Sequence, residues 1–233
     1  MSHATRRGPA SGSGTPRRAT IEVGQHMNIA YFRTSKHDRS ETLARLRRAA
    51  EDAGLTIMGE SALPNGKATV VTVCRPEWAE TVIDTDPMLL GLLPCTVTVI
   101  EQGDATVVGA ATPTLLGRAA PNEAILMMTE QAESTLRALV EAAAEVPPPK
   151  ATQITLYSTH TCPYCNMEKA WLDRGKVAHE VVYIDDDQKA AEELVRRSGQ
   201  QGVPQTGVTY DDGTIEYIVG FDKKKLEKVV ATM

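Results

Sequence analysis

The chain has 233 residues, with 25 basic and 30 acidic side chains and four cysteines. A mildly acidic protein offers no electrostatic footprint for a nucleic-acid backbone, and no apolar run approaches the roughly 18 residues that a membrane-spanning helix needs. We therefore expect neither nucleic acid nor a membrane as a partner, and a cytoplasmic location. The length suits two domains with separate cores. So few cysteines point to redox work or metal binding rather than to a secreted disulfide scaffold.

Residues 1–26 are rich in Gly, Ser, Pro and Arg and hold almost nothing to bury, so we expect a disordered tail. The pattern then becomes globular and predicts an α+β two-layer domain over residues 27–145. Its predicted elements, in chain order, are a strand at 28–33, a helix ending at Gly54, strands at 55–58 and 69–74, a helix from Pro76, strands at 95–100 and 106–110, and a helix at 121–145.

Residues 146–151 include three successive prolines, which cannot continue a helix and form an extended spacer. We place the domain boundary there and expect the spacer to join the domains without burying surface between them. A second, α/β domain is predicted over residues 152–233. Its order of elements is the thioredoxin-type arrangement: a strand at 153–157, helix at 163–174, strand at 178–184, helix at 188–198, strands at 206–210 and 214–219, and a helix from Asp222.

The most informative segment is Cys162-Pro163-Tyr164-Cys165, which follows a buried-strand pattern and begins a helix. The first sulfur therefore faces unpaired backbone N–H groups and the positive end of the helix dipole, and both favour the thiolate. A thiolate attacks disulfides, and a thiol three residues later can resolve the mixed disulfide. We predict that Cys162 attacks and Cys165 resolves. Pro163 suits the first helical turn, where its missing N–H has no consequence.

Two other interpretations of this C-x-x-C pair remain open, namely half of a zinc site or two buried cysteines without chemistry. The strand-to-helix position favours redox work. The chain contains no second C-x-x-C, C-x-x-H or H-x-x-x-H that could complete a metal site, so we predict no metal ligand. A module that binds a metal or an iron–sulfur cluster would need all four cysteines to converge as ligands.

The second domain resembles the glutaredoxin family in three separate motifs, ITLYS followed by CPYC, then GQQGVP and VGFD, at residues 154–165, 199–204 and 219–222. The resemblance implies a thioredoxin-like fold and a cis-proline, Pro204, beside the dithiol, with the Val203 backbone offered to the substrate. It also implies that a helix N-terminus near Gly220 and Asp222 meets the glutamyl end of glutathione. The implied substrate-binding residues are Tyr164, Val203, Pro204, Gly220 and Asp222.

Two positions depart from the glutathione-binding pattern of that family. Thr159 stands where glutaredoxins usually carry a basic residue, and Gly202 stands where they usually carry Thr. A missing cation weakens the capture of carboxylates, and His160, expected to be a solvated surface side chain, compensates only when protonated. We expect no bound cofactor. The electron donor is left open between glutathione, another low-molecular-weight thiol and a flavoprotein reductase, with poor use of glutathione.

Residues 41–145 resemble the domain of unknown function numbered 302, through VCRP at 73–76, DP at 86–87, GLLPC at 91–95 and PN at 121–122. The resemblance implies a two-layer α+β fold and no established chemistry. Cys74 ends one predicted strand and Cys95 begins another. They are either a second dithiol that exchanges with Cys162 or buried thiols without chemistry. Met127 and Met128 are both assigned to the core stripe of the long helix.

The sequence thus predicts a cytoplasmic glutaredoxin-like thiol–disulfide oxidoreductase that contributes to electron transport and cell redox homeostasis. Its expected partners are protein or small-molecule disulfides and a reductase or thiol donor. Two alternatives stay open. One is a metal or cluster-binding module, and the other is a redoxin whose N-terminal domain is a partner-binding adaptor.

Overall fold

The structure is a computed structural model that describes residues 29–64, 66–93, 95–119 and 122–233. The predicted disordered tail, residues 1–26, lies outside the described residues. The chain forms two sheets, one of five strands and one of four, each with its own helices. Residues 146–150 between them form neither helix nor strand. The layout is an N-terminal α+β domain followed by a thioredoxin-like α/β domain.

In the first domain, helices α1 (Arg39–Asp52) and α4 (Glu123–Ala144) begin with a side-chain cap. Asp38 accepts the N–H of Glu41 at 2.9 Å, and Asn122 accepts the N–H of Ala124 at 2.9 Å. Gly54 takes the positive φ of 67° that turns the chain after the first helix. The elements are β1 Ala30–Thr34, α1 Arg39–Asp52, β2 Thr56–Ala62, β3 Ala68–Cys74, α2 Pro76–Thr85, a 3₁₀ helix Pro87–Leu92, β4 Cys95–Gln102, β5 Ala105–Ala111, α3 Thr114–Ala119 and α4 Glu123–Ala144.

The strands of this domain form an antiparallel sheet in the order β1-β5-β4-β3-β2. The core lies between the sheet and helices α1, α2 and α4, where Leu46, Trp78 and Leu136 pack with Val71 and Val97. Burying these apolar stripes contributes about 25 cal/mol per Å² of apolar surface. The helical periodicity that predicted α1 and α4 is therefore confirmed.

Strand β2 runs to Ala62, beyond the end predicted at residue 58, and three further details of this domain differ from the sequence prediction. Neither the 3₁₀ helix Pro87–Leu92 nor α3 was predicted, since both are short segments of six residues with too few turns to show a period. Met128 is buried in the core, but Met127 is 66% exposed. Neighbouring residues on a helix point about 100° apart, so only one of the two methionines fills the core.

The second domain has a mixed sheet in the order β7-β6-β8-β9, with β6 parallel to β7 and antiparallel to β8. One apolar cluster joins Leu156 of the sheet to Leu172, and another joins Val208 to Leu226. The predicted element order is confirmed. The elements are β6 Ala151–Ser158, α5 Pro163–Arg174, β7 Glu180–Tyr183, α6 Gln188–Ser198, β8 Gln205–Tyr210, β9 Ile215–Val219 and α7 Lys223–Val230.

Charged side chains connect the two domains, with Arg137 of α4 at the centre. Its Nη1 lies 2.5 Å from Oε1 of Glu216 in β9, and its Nη2 lies 3.0 Å from Oε1 of Glu133 on the same helix. The guanidinium also sits 4.5 Å above the centre of the Tyr31 ring. Although burial opposes the charge, the carboxylates of Glu216 and Glu133 raise the pKa of Arg137. A cation is therefore held permanently between the domains.

Two further ion pairs cross the same boundary. Arg33 Nε lies 3.8 Å from Asp212 Oδ2, and Lys225 Nζ lies 3.0 Å from Glu130 Oε1. The two domains are therefore in contact through charged side chains, which the expectation of a spacer that buries no surface between them did not include. The prolines determine the shape of the spacer, but they carry no information about charged surfaces brought together on either side of it.

Candidate active site

The dithiol lies where β6 gives way to α5. Cys162 is the N-cap residue of α5, and its Sγ accepts the backbone N–H of Cys165 at 3.1 Å. The sulfur thus lies at the end of the helix where unpaired N–H groups and the helix dipole favour negative charge. The two cysteines form a disulfide with a Cα–Cα distance of 5.3 Å. The position predicted from the sequence is confirmed.

The two sulfurs differ in exposure. Cys165 is only 1% exposed, whereas Cys162 is half-buried. Next to them, Tyr164 and Met167 are 63% and 55% exposed and present an apolar surface to solvent. An incoming disulfide can reach the first sulfur, while the second is shielded by the protein. This asymmetry suits the predicted order of attack by Cys162 and resolution by Cys165.

The loop before β8 lies against the first sulfur. The Val203–Pro204 peptide bond is cis, as the family resemblance implies, and the Val203 carbonyl oxygen lies 3.9 Å from Cys162 Sγ. No sequence motif indicated Gln205, whose side chain is buried and donates from Nε2 to the carbonyl oxygens of Gln200 and Gly202 at 3.0 and 2.7 Å. Gln205 therefore fixes the loop that carries Val203 and Pro204.

Gly220 and Asp222 lie beside the same loop. The N–H of Gly220 donates to the carbonyl oxygen of Pro204 at 2.9 Å, and its φ of 78° is one that glycine adopts without strain. Asp222 caps α7 by accepting the N–H of Lys225 at 3.1 Å. The structure thus brings together the predicted residues Val203, Pro204, Gly220 and Asp222. Their contacts with a substrate stay a prediction.

The His160 side chain is 56% exposed, as expected for a surface histidine, and it also makes specific contacts. Its ring Nε2 lies 2.9 Å from Asp186 Oδ2, its backbone N–H donates to Asp185 Oδ2 at 2.9 Å, and its ring stacks on Tyr183. The hydrogen bond to Asp186 raises the pKa of His160, and the charge of Asp185 adds to that effect. When His160 is protonated, its positive charge is therefore compensated by Asp185 and Asp186. Thr159 supplies no charge.

A buried carboxyl group, which the sequence did not indicate, lies behind the dithiol. Glu168 of α5 has no exposed surface, and one of its carboxyl oxygens accepts a hydrogen bond from the Thr206 hydroxyl of β8. Burial raises the pKa of Glu168 to about 6, and the hydrogen bond from Thr206 opposes that shift. A glutamate in an amphipathic helix is ordinarily exposed, so only the structure reveals this group.

Cys74 and Cys95 are free thiols in the first domain. The β3–β4 register pairs Cys95 with Val73, the residue before Cys74. Because successive strand residues point to opposite faces, the two thiols point apart and cannot bridge without backbone movement. Burial raises the pKa of both, to about 11 for Cys95, and Cys74 adds to the shift of Cys95. The strand register makes a Cys74–Cys95 disulfide unfavourable, and the choice between a second dithiol and thiols without chemistry stays a prediction.

The four cysteines do not converge. Among the side chains that the structure describes, the metal-capable group identified is His160 with Asp185 and Asp186, all exposed, and it contains no cysteine. The alternative of a four-cysteine metal or cluster module therefore has no support in this arrangement. No helix among the described residues combines the length and the apolar character needed to cross a membrane.

Fold and site together define a domain of the thioredoxin fold with a C-x-x-C disulfide at a helix N-terminus. Residues 154–209 match the glutaredoxin family model. Over 77 residues the chain is 39% identical to an uncharacterized glutaredoxin-like 8.6 kDa protein in the rubredoxin operon of Clostridium pasteurianum, an alignment that covers 33% of this chain and 96% of that protein. Through its C-terminal domain the chain belongs to the glutaredoxin family, a family of thiol–disulfide oxidoreductases.

Further similarities concern both domains. Glutaredoxin 3 of Escherichia coli K12 is 38% identical over 52 residues, which span 22% of this chain and 63% of that protein. Residues 31–143 match the family model of the domain of unknown function DUF302. A crystal structure of an uncharacterized conserved DUF302 protein from Bacillus stearothermophilus covers 49% of this chain and 98% of its own, with 19% identity and a TM-score of 0.47.

Proposed function

We propose that this protein reduces protein or low-molecular-weight disulfides through a dithiol cycle of Cys162 and Cys165. The observation that carries the proposal is the pairing of an accessible sulfur at the N-terminus of α5 with a buried sulfur one turn later. Cys162 thiolate attacks a client disulfide and forms a mixed disulfide, and Cys165 then displaces the client. The cycle needs no bound cofactor. A continuous supply of electrons is required, which a reducing cytoplasm provides.

A stoichiometric assay tests this function. The pre-reduced protein is expected to convert one client disulfide per molecule into two thiols, because a dithiol carries two electrons. The readouts are client thiol release and a loss of two hydrogens from the tryptic peptide that holds Cys162 and Cys165. Protein alkylated before mixing is the control. Thiol release without that mass change, or no release at all, would contradict the proposal.

The proposed electron donor is a thiol or flavoprotein reductase other than the glutathione system. Glutathione binding needs cations for its carboxylates. Thr159 supplies none, and the nearby His160 is hydrogen-bonded to Asp186. Acidic side chains thus lie next to the dithiol where a carboxylate ligand needs positive charge.

A charge added at Thr159 is expected to improve glutathione use. The Thr159→Lys variant should raise kcat/KM for glutathione about tenfold, since one charge-assisted hydrogen bond contributes about 1.5 kcal/mol. Turnover is measured with glutathione, its reductase and a mixed-disulfide client. Thr152→Lys places the same charge on an exposed residue near the other end of β6 and is the matched control. An equal gain in both variants, or wild-type turnover already matching that with a flavoprotein reductase, would refute this assignment of the donor.

A second candidate role concerns the N-terminal domain, which we propose as an adaptor that binds partners. The ion pairs from Arg137 and Arg33 to the glutaredoxin-like domain support it, because they place charged side chains of the two domains in contact. A partner bound to the first domain would then meet the dithiol in a defined geometry. Clients trapped as mixed disulfides by a Cys165→Ser variant of the full chain, but not by residues 152–233 alone, would identify such partners.

A further inference from the structure

Glu168 is the most unusual polar group near the dithiol. It is fully buried, and its Oε2 has no hydrogen-bond partner among the described residues. Its Oε1 accepts the hydroxyl of Thr206. A buried carboxyl group without a cation destabilises a fold unless it is protonated or well hydrogen-bonded. A free, inward-facing oxygen at such a place suggests a role beyond packing.

The position of Glu168 relative to Cys165 follows from helix geometry. Both residues lie in α5, three positions apart, and both are buried. Residues at this spacing are neighbours on one helix face, with Cβ atoms about 5–6 Å apart. Long helical side chains lean toward the preceding turn, so the Glu168 carboxyl group extends toward Cys165. Its bond to Thr206, two residues after Pro204, places it between α5 and β8, behind the active site.

The buried side chains that share a sheet face with Thr206 carry no charge, namely Ile154, Leu156 and Val208, and the buried Leu226 of α7 carries none either. Three ion pairs lie along α5 and α7, namely Lys169 with Asp173, Lys223 with Glu227, and Lys225 with Asp222. Burial and the Thr206 hydrogen bond are accordingly what shift the pKa of Glu168. On its own helix face, the buried residue one turn before Glu168 is Cys165.

We propose that Glu168 accepts the proton of Cys165, directly or through one water molecule, in the step that resolves the mixed disulfide. This inference rests on the proposed dithiol function. Cys165 is buried and far from solvent bases, so its thiol needs a local acceptor to become a nucleophile. A carboxylate with a pKa of about 6 is mostly ionised at neutral pH and is a stronger base than an ordinary glutamate.

The step balances in protons and electrons. The proton of the Cys165 thiol passes to the Glu168 carboxylate. The resulting thiolate attacks Cys162 Sγ, which forms the Cys162–Cys165 bond and breaks the bond between Cys162 and the client sulfur. The client leaves as a thiolate with the electron pair of the broken bond and takes up a proton from Glu168 or from water. The dithiol is oxidised by two electrons and the client disulfide is reduced by two.

A chromogenic disulfide separates the two chemical steps. The full-length reduced protein is mixed in a stopped-flow instrument with the symmetric disulfide of nitrothiobenzoate. Attack by Cys162 releases the first nitrothiobenzoate, and resolution by Cys165 releases the second. Cys165→Ser shows only the first release and defines its rate. Both rates are followed between about pH 5 and 8, which brackets the pKa of Glu168 of about 6.

Glu168→Gln keeps the size of the side chain and an oxygen that can accept from Thr206, and it removes a buried charge, so the variant is expected to fold. We expect the second release to slow at least about tenfold at pH 7, within the range of general base catalysis, and to lose its midpoint near pH 6. The first release should keep its wild-type rate. Thr206→Val removes a hydrogen bond that lowers the pKa of Glu168 and should move the midpoint to higher pH.

The outcomes separate two failures. If Glu168→Gln releases the second nitrothiobenzoate at the wild-type rate with the same pH profile, Glu168 has no part in proton transfer. A uniform slowing of the second release with an unchanged midpoint would also overturn the proposal, since it would show a packing role only. If the wild-type protein gives no first release, the proposed dithiol function itself is wrong.

Discussion

Replacing Cys162 with serine is expected to abolish disulfide reduction, by on the order of a thousandfold or more, because removing a nucleophile leaves no group to form the covalent intermediate. Cys165→Ser is expected to behave differently. It should complete the first attack and then accumulate the mixed disulfide, because the half-buried Cys162 remains while the buried resolving thiol is lost. Client turnover and the mass of the trapped protein are the two measurements.

The chain provides its own controls for these variants. Cys74→Ala and Cys95→Ala each remove a thiol from the first domain and should leave turnover unchanged. In the Cys165→Ser variant, the alkylation rate of Cys162 should reach half its maximum well below pH ~8.5, the pKa of a free thiol. The roles assigned to the two sulfurs would be contradicted if Cys162→Ser and Cys95→Ala lost the same amount of client turnover. A Cys162 alkylation midpoint at pH ~8.5 or above would contradict them as well.

Arg137→Ala is expected to lower the free energy of unfolding by about 2 kcal/mol and to uncouple the two domains. A fully buried ion pair that loses one partner costs about 3–5 kcal/mol, and we scale this down because the Arg137 and Glu216 side chains keep 26% and 28% exposure. The loss leaves Glu216 and Glu133 facing each other without a cation. It also removes the contact with the Tyr31 ring.

The two tryptophans allow each domain to be followed separately, since Trp78 lies in the first domain and Trp171 in the second. Urea unfolding is monitored by fluorescence in Trp78→Phe and Trp171→Phe backgrounds. The two transitions should coincide with Arg137 present and separate in Arg137→Ala. Arg48→Ala breaks an exposed pair with Glu41 and should change stability by less than about 0.5 kcal/mol. Coincident transitions in both variants would mean that the interface does not couple the domains.

Local patterns explain why so much of the second domain could be predicted. A strand, the CPYC segment and a helix follow one another directly, so the placement of Cys162 at a helix N-terminus needs no long-range information. Glu168 could not be found in this way. Its burial depends on the packing of α5 against β8, and Thr206 is its partner only because the sheet places it there. The same holds for Gln205, because its hydrogen bonds to the carbonyl oxygens of Gln200 and Gly202 depend on the folded loop before β8.

The first domain shows the same division. Helices α1 and α4 have enough turns for their apolar stripes to appear in the sequence, whereas α3 does not. The interface between the domains depends on Arg137, Glu216 and Arg33, and nothing in the sequence distinguishes these residues from other charged surface residues. Charged residues follow no period that reveals a partner in another domain. His160 is a similar case, since its acidic neighbours follow β7 rather than β6.

The ion pairs around Arg137 have a consequence for how a client could use both domains at once. Two domains on a flexible tether can bind a client at two points over a range of distances between those points. Two domains in fixed contact can do so only when the distance on the client equals the distance between their own sites. If the first domain binds clients as proposed, a client would gain avidity when its disulfide lies at the distance and angle set by the ion pairs between the domains. A client with another spacing gains none. The docked domains would thus select clients by the distance between their binding surface and their disulfide.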